Sequence, residues 1–401
     1  MTDMAAVILK VVRATRNQNV YATCYTVQSH DYSSKPNIIK NPTTASLKRG
    51  TGGRSSFSGK ICTVFGCSGF IGSYLPVRLG KIGSQIILPH RCDPYRVRQL
   101  KVGGDLGQVL YHPFDLRDEE SIIKCMKYSN VVINLIGRNT ETNNFSFKDV
   151  HVEGARKLAR LAKQCNVERF IHMSCLNAAK KPTPLMLKEG SKILQTKWEG
   201  ELAVKEEFPE ATIIRPSAIY GQRDKFISHY CNESRKIYRS YVALYDKGEK
   251  TEKQPIHIRD VVSGIVAIIN NPNTAGKTYQ FVGPKRYKLS ELVSWMFDIA
   301  YPFQKIEILE LRNNVITKLK VAFWETVLPV HPVVDLTWEV IECHHTTDKI
   351  DPTLPTLEDL GIAPIEMESI FHYEVNTYAE DRADARNLDK MKSATLKTIL
   401  K

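Results

Sequence analysis

The stretch Val64-Phe65-Gly66-Cys67-Ser68-Gly69-Phe70-Ile71-Gly72 constrains the fold of this chain more than any other. Gly66, Gly69 and Gly72 have GxxGxxG spacing, directly after a β-rich run, Lys60 to Phe65, and at the start of a segment, Phe70 to Leu79, that can be helical. That order suits a dinucleotide-binding βαβ unit. Gly66 permits the tight turn, Gly69 lets backbone approach a pyrophosphate, and Gly72 lets the helix pack on the strand. The unpaired N–H groups of the helix's first turn would then meet the anion. Cys67, Ser68, Phe70 and Ile71 complete the loop and join the glycines as candidate cofactor-binding residues.

Beyond Leu79 the chain repeats this alternation of strand and helix. Strand-like runs at Ser84 to Pro89, Leu106 to Phe114, Asn130 to Ile136, Arg169 to Ser174 and Ala211 to Arg215 are separated by helical stretches at Asp118 to Lys127, Phe147 to Cys165 and Gly190 to Phe208. Apolar strands alternating with helices of this length predict an α/β fold, a Rossmann-like doubly wound parallel sheet with helices on both faces. After Pro216 the pattern loosens. "KQPIHIRDVVSGIVAIINNP" reads as a strand and a helix, and "KTYQFVG" as a strand, in a smaller mixed α/β C-terminal lobe. The expected divisions are a leader at 1–59, a nucleotide-binding domain at 60–250, the smaller lobe and an appended segment at 251–375, and a tail of mixed charge at 376–401, read as an exposed or partner-bound helix.

The leader is basic, with Asp3 and Asp31 as its acids among many Ser, Thr and Asn, and "AAVILKVVRATR" can segregate apolar residues from cations on one helix. This is the composition of a mitochondrial transit peptide followed by a flexible linker. The whole chain carries a formal net charge of +13, which leaves nucleotide phosphates, RNA, acidic lipid and acidic protein faces open as partners. No run nears the roughly 18 apolar residues of a membrane helix; Val321 to Val334 is broken by Glu325, His331 and two prolines, so no transmembrane helix is expected. Nine cysteines, scattered and without CxxC, argue for a reducing compartment and against a metal. His172, His257 and the pair His344-His345 receive structural readings, with no carboxylates placed to complete a metal site.

At the end of the second strand a site for NAD would offer an acid to the ribose hydroxyls. Here the sequence is "LPHRCDPYRVRQL". Arg91 could clasp a 2′-phosphate, with Arg96 or Arg98 as helpers, whereas Asp93 keeps NAD open. NADP(H) is the expected cofactor.

In this order the residues resemble the atypical, extended branch of the short-chain dehydrogenase/reductase superfamily over roughly Lys60 to Gly283. The resemblance is carried by the glycine loop, "FDLRD", "NLIG", "HMSC", Lys197, "RPSAIYG" and "PIHIRDVV". More narrowly, "VINLIGRNTETNNFSFKDV", "ERFIHMSCLNA", "FPEATIIRPSAIYGQRDKF" and "GKTYQFVGPKRY" are similar to the nucleotide-binding accessory subunits of mitochondrial respiratory complex I, a likeness reaching Gly361. The resemblance implies a cofactor site that adds Asp115 (near the adenine), Leu116, Asn134, Leu135, Ile136, Gly137, Ser174, Lys197 and Pro216 to the loop and Arg91. It also implies a peripheral subunit on the matrix side of the inner membrane, partnered by other complex I subunits, with contact to inner-membrane lipid open. The NADPH would stand outside the main electron path.

In that superfamily a tyrosine four residues before the lysine exchanges a proton with the substrate oxygen, and the lysine lowers its pKa and holds the nicotinamide ribose. Here the lysine position is Lys197 and the tyrosine position is Ile193, which has no proton to give. Losing a positioned acid costs on the order of 10² to 10⁴ in rate. The sequence therefore predicts a non-catalytic, cofactor-stabilised assembly subunit that binds NADP(H) structurally. Two alternatives stay open: an active NADP-dependent reductase or epimerase, for which Tyr220 is the replacement acid to examine, and an RNA-binding module on the same fold. The second lacks an aromatic-plus-basic stacking strip, so nucleic acid is not an expected partner.

Overall fold

The computed structural model describes residues 50–375 apart from 51, 232–235, 238–240, 302–305, 313 and 328–335. The stretch with transit-peptide composition, most of the leader, and the 376–401 tail lie outside the described residues.

The strand-like runs become β1 (Ile61–Phe65), β2 (Gln85–His90), β3 (Val109–Pro113), β4 (Val131–Asn134), β5 (Arg169–Met173) and β6 (Thr212–Pro216). A seventh, β7 (Thr278–Phe281), comes from "KTYQFVG", which the sequence assigns to the second lobe. Instead it pairs with β6, because Tyr279 and Phe281 pack into the same apolar cluster as β1 and β2. The order across the sheet is β7-β6-β5-β4-β1-β2-β3, and every pairing is parallel. Strand order reverses between β1 and β4, and in such sheets the crevice outside their carboxyl ends is where ligands bind.

Both faces of the sheet are covered, which is why β1 and β4 are buried along their whole length. On one face, α1 (Phe70–Lys81) inserts Leu75 and Leu79 against Cys62, Val64 and Ile86. On the other lie α2 (Glu119–Met126), α3 (Gly154–Gln164) and α4 (Lys192–Glu207), joined by Ile122, Leu158, Val204 and Phe208 around Phe170. A π-helical turn, Asp149–Glu153, leads into α3, and Gly200 lets α4 press against it: a Cβ there would lie 2.2 Å from the His151 carbonyl oxygen. That contact fixes the height of Lys197 and Ile193 in the cleft.

The rest of the chain forms α5 (Phe226–Cys231), α6 (Ile258–Asn270), α7 (Leu289–Ala300), α8 (Val315–Val327), α9 (Trp338–His345) and α10 (Met367–Glu374) with short strands between them. α6 packs with α1 on the sheet through Val261, Ile265 and Ile268. α5, α7 and α10 build a second core around Tyr230, Trp295 and Phe371. α9 returns to the main site, where Val340 meets Ile193 and Phe147. No described helix is long and apolar enough to cross a membrane.

Candidate functional site

The loop after β1 is built around its glycines. Gly66 has φ +86°, and a Cβ there would come within 2.9 Å of the Leu135 carbonyl carbon at the end of β4. A Cβ on Gly72 would sit 2.2 Å from the Gly66 oxygen, so α1 reaches the strand only through glycine. Gly69 differs: its added Cβ would meet the Gly66 oxygen at 3.2 Å and no other atom within 4 Å, so the protein itself nearly accommodates a side chain. Gly69 caps α1 without a side-chain hydrogen bond, leaving the first N–H groups of a 12-residue helix to an outside acceptor.

Two cavities meet on this loop and share Gly66, Gly69, Leu135, Gly137 and Arg138. The first, about 490 Å³, lies outside β2, β3 and β4; Ser68, Arg91, Arg96, Leu116 and Ile136 help to line it. The second, about 440 Å³, runs toward β5, β6 and α4, and its walls include Phe70, Ile71, Gly72, Ser174, Lys197 and Pro216. Together they make a cleft across the switch point with the loop in the middle, the shape a dinucleotide needs.

Three of the sequence-predicted residues stand behind the wall. The Cys67 thiol is buried and contacts the Pro89 carbonyl oxygen at 3.2 Å, and burial pushes its pKa up to about 12. Asp115 accepts from the Arg117 backbone N–H at 2.9 Å, shaping the turn after β3, and the wall nearest the first cavity is Leu116. Asn134 is fully committed: its carbonyl accepts from the Ile136 N–H at 3.0 Å, and its amide donates to His172 Nδ1 at 3.1 Å.

At the other end, Ser174 Oγ is buried and has no hydrogen-bond partner among the described residues. An orphan hydroxyl facing a cavity is costly unless a ligand or water completes it. Lys197 is half-buried beside it, donating to the Met173 carbonyl at 3.3 Å, and its Nζ would lie 2.9 Å from a Cβ on Gly137. Burial lowers the lysine's pKa, while the nearby Cys175 and Glu201 pull it back up. Below it, Arg138 N–H donates to His151 Nε2 at 3.1 Å, and His151 Nδ1 lies 2.9 Å from Thr196 Oγ1, so His151 is held neutral by burial with a pKa of about 2. Thr196 thus points away from the cleft, into this support.

Ile193, one turn before Lys197, is buried in the wall against Phe147 and Val340, with Cys343 packed beside them. Tyr220, the replacement acid suggested by the sequence, is fully buried against the His257 ring and is absent from both cavity walls. Burial raises its pKa. Asp93 is also engaged: its carboxylate accepts from the Tyr95 N–H at 2.9 Å and caps a short helix. That leaves two arginines and no carboxylate on the wall after β2. Sequence reasoning misses Phe145 and Phe114 in this wall; "NNFSF" lies in the loop between β4 and α3, whose path over the first cavity is not set by periodicity.

A glycine loop at the switch point of a parallel sheet, with a lysine and a serine across the cleft from it, is the arrangement of the epimerase and dehydratase class. The model of the NAD dependent epimerase/dehydratase family matches residues 62–282, and the chain belongs to that family. Its fold is similar to that of dTDP-glucose 4,6-dehydratase DesIV from Streptomyces venezuelae, solved with NAD and TYD bound: TM-score 0.58, 15% identity, covering 83% of this chain and all of that one.

Two curated relatives are much more similar. Mouse NADH dehydrogenase (ubiquinone) 1 alpha subcomplex subunit 9, mitochondrial, is 43% identical over 340 residues, covering 81% of this chain and 83% of the relative. The Neurospora crassa NADH-ubiquinone oxidoreductase 40 kDa subunit, mitochondrial, is 35% identical over 337 residues, covering 82% of each. Within the wider family, the chain belongs to the family of these mitochondrial NADH dehydrogenase subunits.

Proposed function

We propose that this protein is a non-catalytic accessory subunit of mitochondrial respiratory complex I, peripheral on the matrix side of the inner membrane, where a structurally held NADP(H) stabilises it and so supports assembly of the peripheral arm. The observation that carries the reading is Ile193. The ribose-holding lysine stays in the cleft, but the proton donor one turn away is an aliphatic side chain packed under α9. Binding and chemistry are thereby separated, since a ribose needs only hydrogen-bond partners and a carbonyl reduction needs an acid. Similarity to subunits of the mitochondrial NADH dehydrogenase supports the assembly role.

NADP(H) is preferred to NAD because Arg91 and Arg96 line the wall where an NAD site would place an acid, and Asp93 is engaged as a helix cap. Gly66, Gly69 and the start of α1 would take the pyrophosphate, Gly137 and Lys197 the nicotinamide ribose, and Ser174 the nicotinamide end. Native mass spectrometry of the purified assembly tests both parts. The expected result is this chain bound to other complex I subunits and carrying one NADP(H). A free chain that oxidises NADPH against a carbonyl substrate would overturn the reading in favour of an active reductase.

A further inference from the structure

The loop between β4 and α3 carries Phe145, and two guanidiniums lie over its ring: Arg117, from the turn after β3, at 4.5 Å, and Arg91, from the end of β2, at 5.1 Å. Arg117 is itself tied down by donating to the Asn144 carbonyl oxygen. Phe145 is in turn held by a small closed turn, exchanging backbone hydrogen bonds with Thr142 at 3.1 and 3.2 Å. Three strand-end loops therefore meet on one ring at the mouth of the first cavity.

Two cations gathered over one ring repel each other, so an arrangement like this needs a further reason. Neither Arg91 nor Arg117 forms an ion pair among the described residues. The acids nearest in sequence are occupied by backbone N–H groups, Asp93 by Tyr95, Asp115 by Arg117 and Asp118 by Glu120, and Asp149, which feels the Arg117 charge without pairing with it, accepts from the Ser146 N–H and hydroxyl. A planar contact with an aromatic face fixes the plane of a guanidinium while leaving its N–H edge free for an anion. Arg91 lines the cavity with Arg96, and Phe145 lines it too.

We infer that Phe145 is a specificity-determining positioning residue: with Arg117 it orients the Arg91 guanidinium so that its N–H edge receives the 2′-phosphate of NADP(H). The inference rests on the NADP(H) reading above. It assigns the selectivity for a 2′-phosphate to a loop from β4, remote in sequence from the β2 end that would contact the phosphate. Phe145 is half-buried and at the margin of the apolar cluster around Phe170, so a leucine there should keep the apolar contact and the fold.

The test compares binding of 2′,5′-ADP and 5′-AMP to the purified full-length chain by isothermal titration. Wild type should prefer 2′,5′-ADP. Phe145→Leu should cut that preference by about threefold to tenfold by weakening 2′,5′-ADP more than 5′-AMP, the size expected for losing a cation–π contact and the order it imposes. Phe145→Tyr, which keeps the ring, should restore the preference, as no general packing role would require. An unchanged preference in Phe145→Leu alongside its loss in Arg91→Ala would overturn the role of Phe145 and leave the NADP(H) reading standing. Equal weakening of both ligands would make Phe145 a plain cavity wall and overturn the inference. No preference in wild type would sink both.

Discussion

Gly69 and Gly72 look interchangeable in the loop, yet their surroundings differ. The Gly72 Cβ position is filled by Gly66 and Cys67 backbone, whereas the Gly69 position meets a single oxygen at 3.2 Å and otherwise opens to the cavities. Gly72→Ala should destabilise the ligand-free chain by about 3 kcal/mol, because backbone must move to admit the methyl group. Gly69→Ala should change ligand-free stability by under about 1 kcal/mol but abolish most of the stabilisation by NADPH, since its methyl group enters the space a pyrophosphate would use. Urea denaturation with and without NADPH separates the two; equal effects in the ligand-free state would refute the distinction. A second residue-scale consequence concerns His172, whose pKa burial lowers to about 3 while its Nδ1 accepts from Asn134. Unfolded, it titrates near 6.5, so between roughly pH 6.5 and 3 the unfolded chain holds a proton that the folded chain refuses. Stability must fall as pH falls through that window, by about 1.4 kcal/mol per pH unit for this group. Asp224, pushed up to about 7 by burial, acts in the opposite sense, so the total slope is not diagnostic. The difference in slope between wild type and His172→Gln is, because Asp224 is present in both. Identical slopes would show that His172 charges in the folded state.

At the scale of elements, the C-terminal segment is tied to the cleft by a buried ion pair. Lys253 Nζ lies 3.2 Å from Asp348, just beyond α9, and both side chains are at most 5% exposed. Asp348 also accepts from the Gln254 N–H and the Asn177 amide, so one carboxylate joins three segments. Asp348→Asn would leave a buried ammonium without its counter-charge and should cost about 3 kcal/mol, whereas adding Lys253→Met should recover most of the loss. A double-mutant cycle by urea denaturation measures this, and additive costs would show that the pair carries no coupling. This tie is not legible in the sequence, and the reason is physical. Lys253 and Asp348 are 95 residues apart, and nothing local about either residue distinguishes a buried ion from a solvated one. The Rossmann core is legible because its signals are local: the alternation from Ile61 to Pro216 and the glycine spacing fix strands, helices and loop within short windows. β7 is recognisable as a strand but not as a neighbour of β6, because periodicity gives an element's type and not its partner. The same limit explains the site. The sequence expectation that Ile193 stands at the tyrosine position comes from its spacing to Lys197, but its contact with Val340 depends on α9 folding back from well over a hundred residues downstream.

At the scale of the whole molecule, the proposed reading, a cleft that binds a dinucleotide without using it, would make the cofactor a part of the fold. A ligand that binds only the folded state stabilises it by RT ln(1 + [L]/Kd), roughly 2.7 kcal/mol at a hundredfold excess over Kd. The cleft draws on the loops after β1 to β6, so the stabilisation should be felt by the whole cooperative unit and not by one loop. NADPH should therefore move the urea midpoint of the entire unfolding transition, with absorbance at 340 nm unchanged over hours in the presence of aldehyde, ketone or nucleotide-sugar substrates. Lys197→Met should reduce the stabilisation by about 1.5 kcal/mol, the contribution of a charged hydrogen bond to the ribose, with absorbance at 340 nm as steady as expected for wild type. Stabilisation accompanied by steady oxidation in wild type would mean that another group supplies the proton and that the protein is an enzyme. Binding that leaves the urea midpoint where it was would mean that the cofactor does not support the fold, and that the cleft must serve the assembly in some other way.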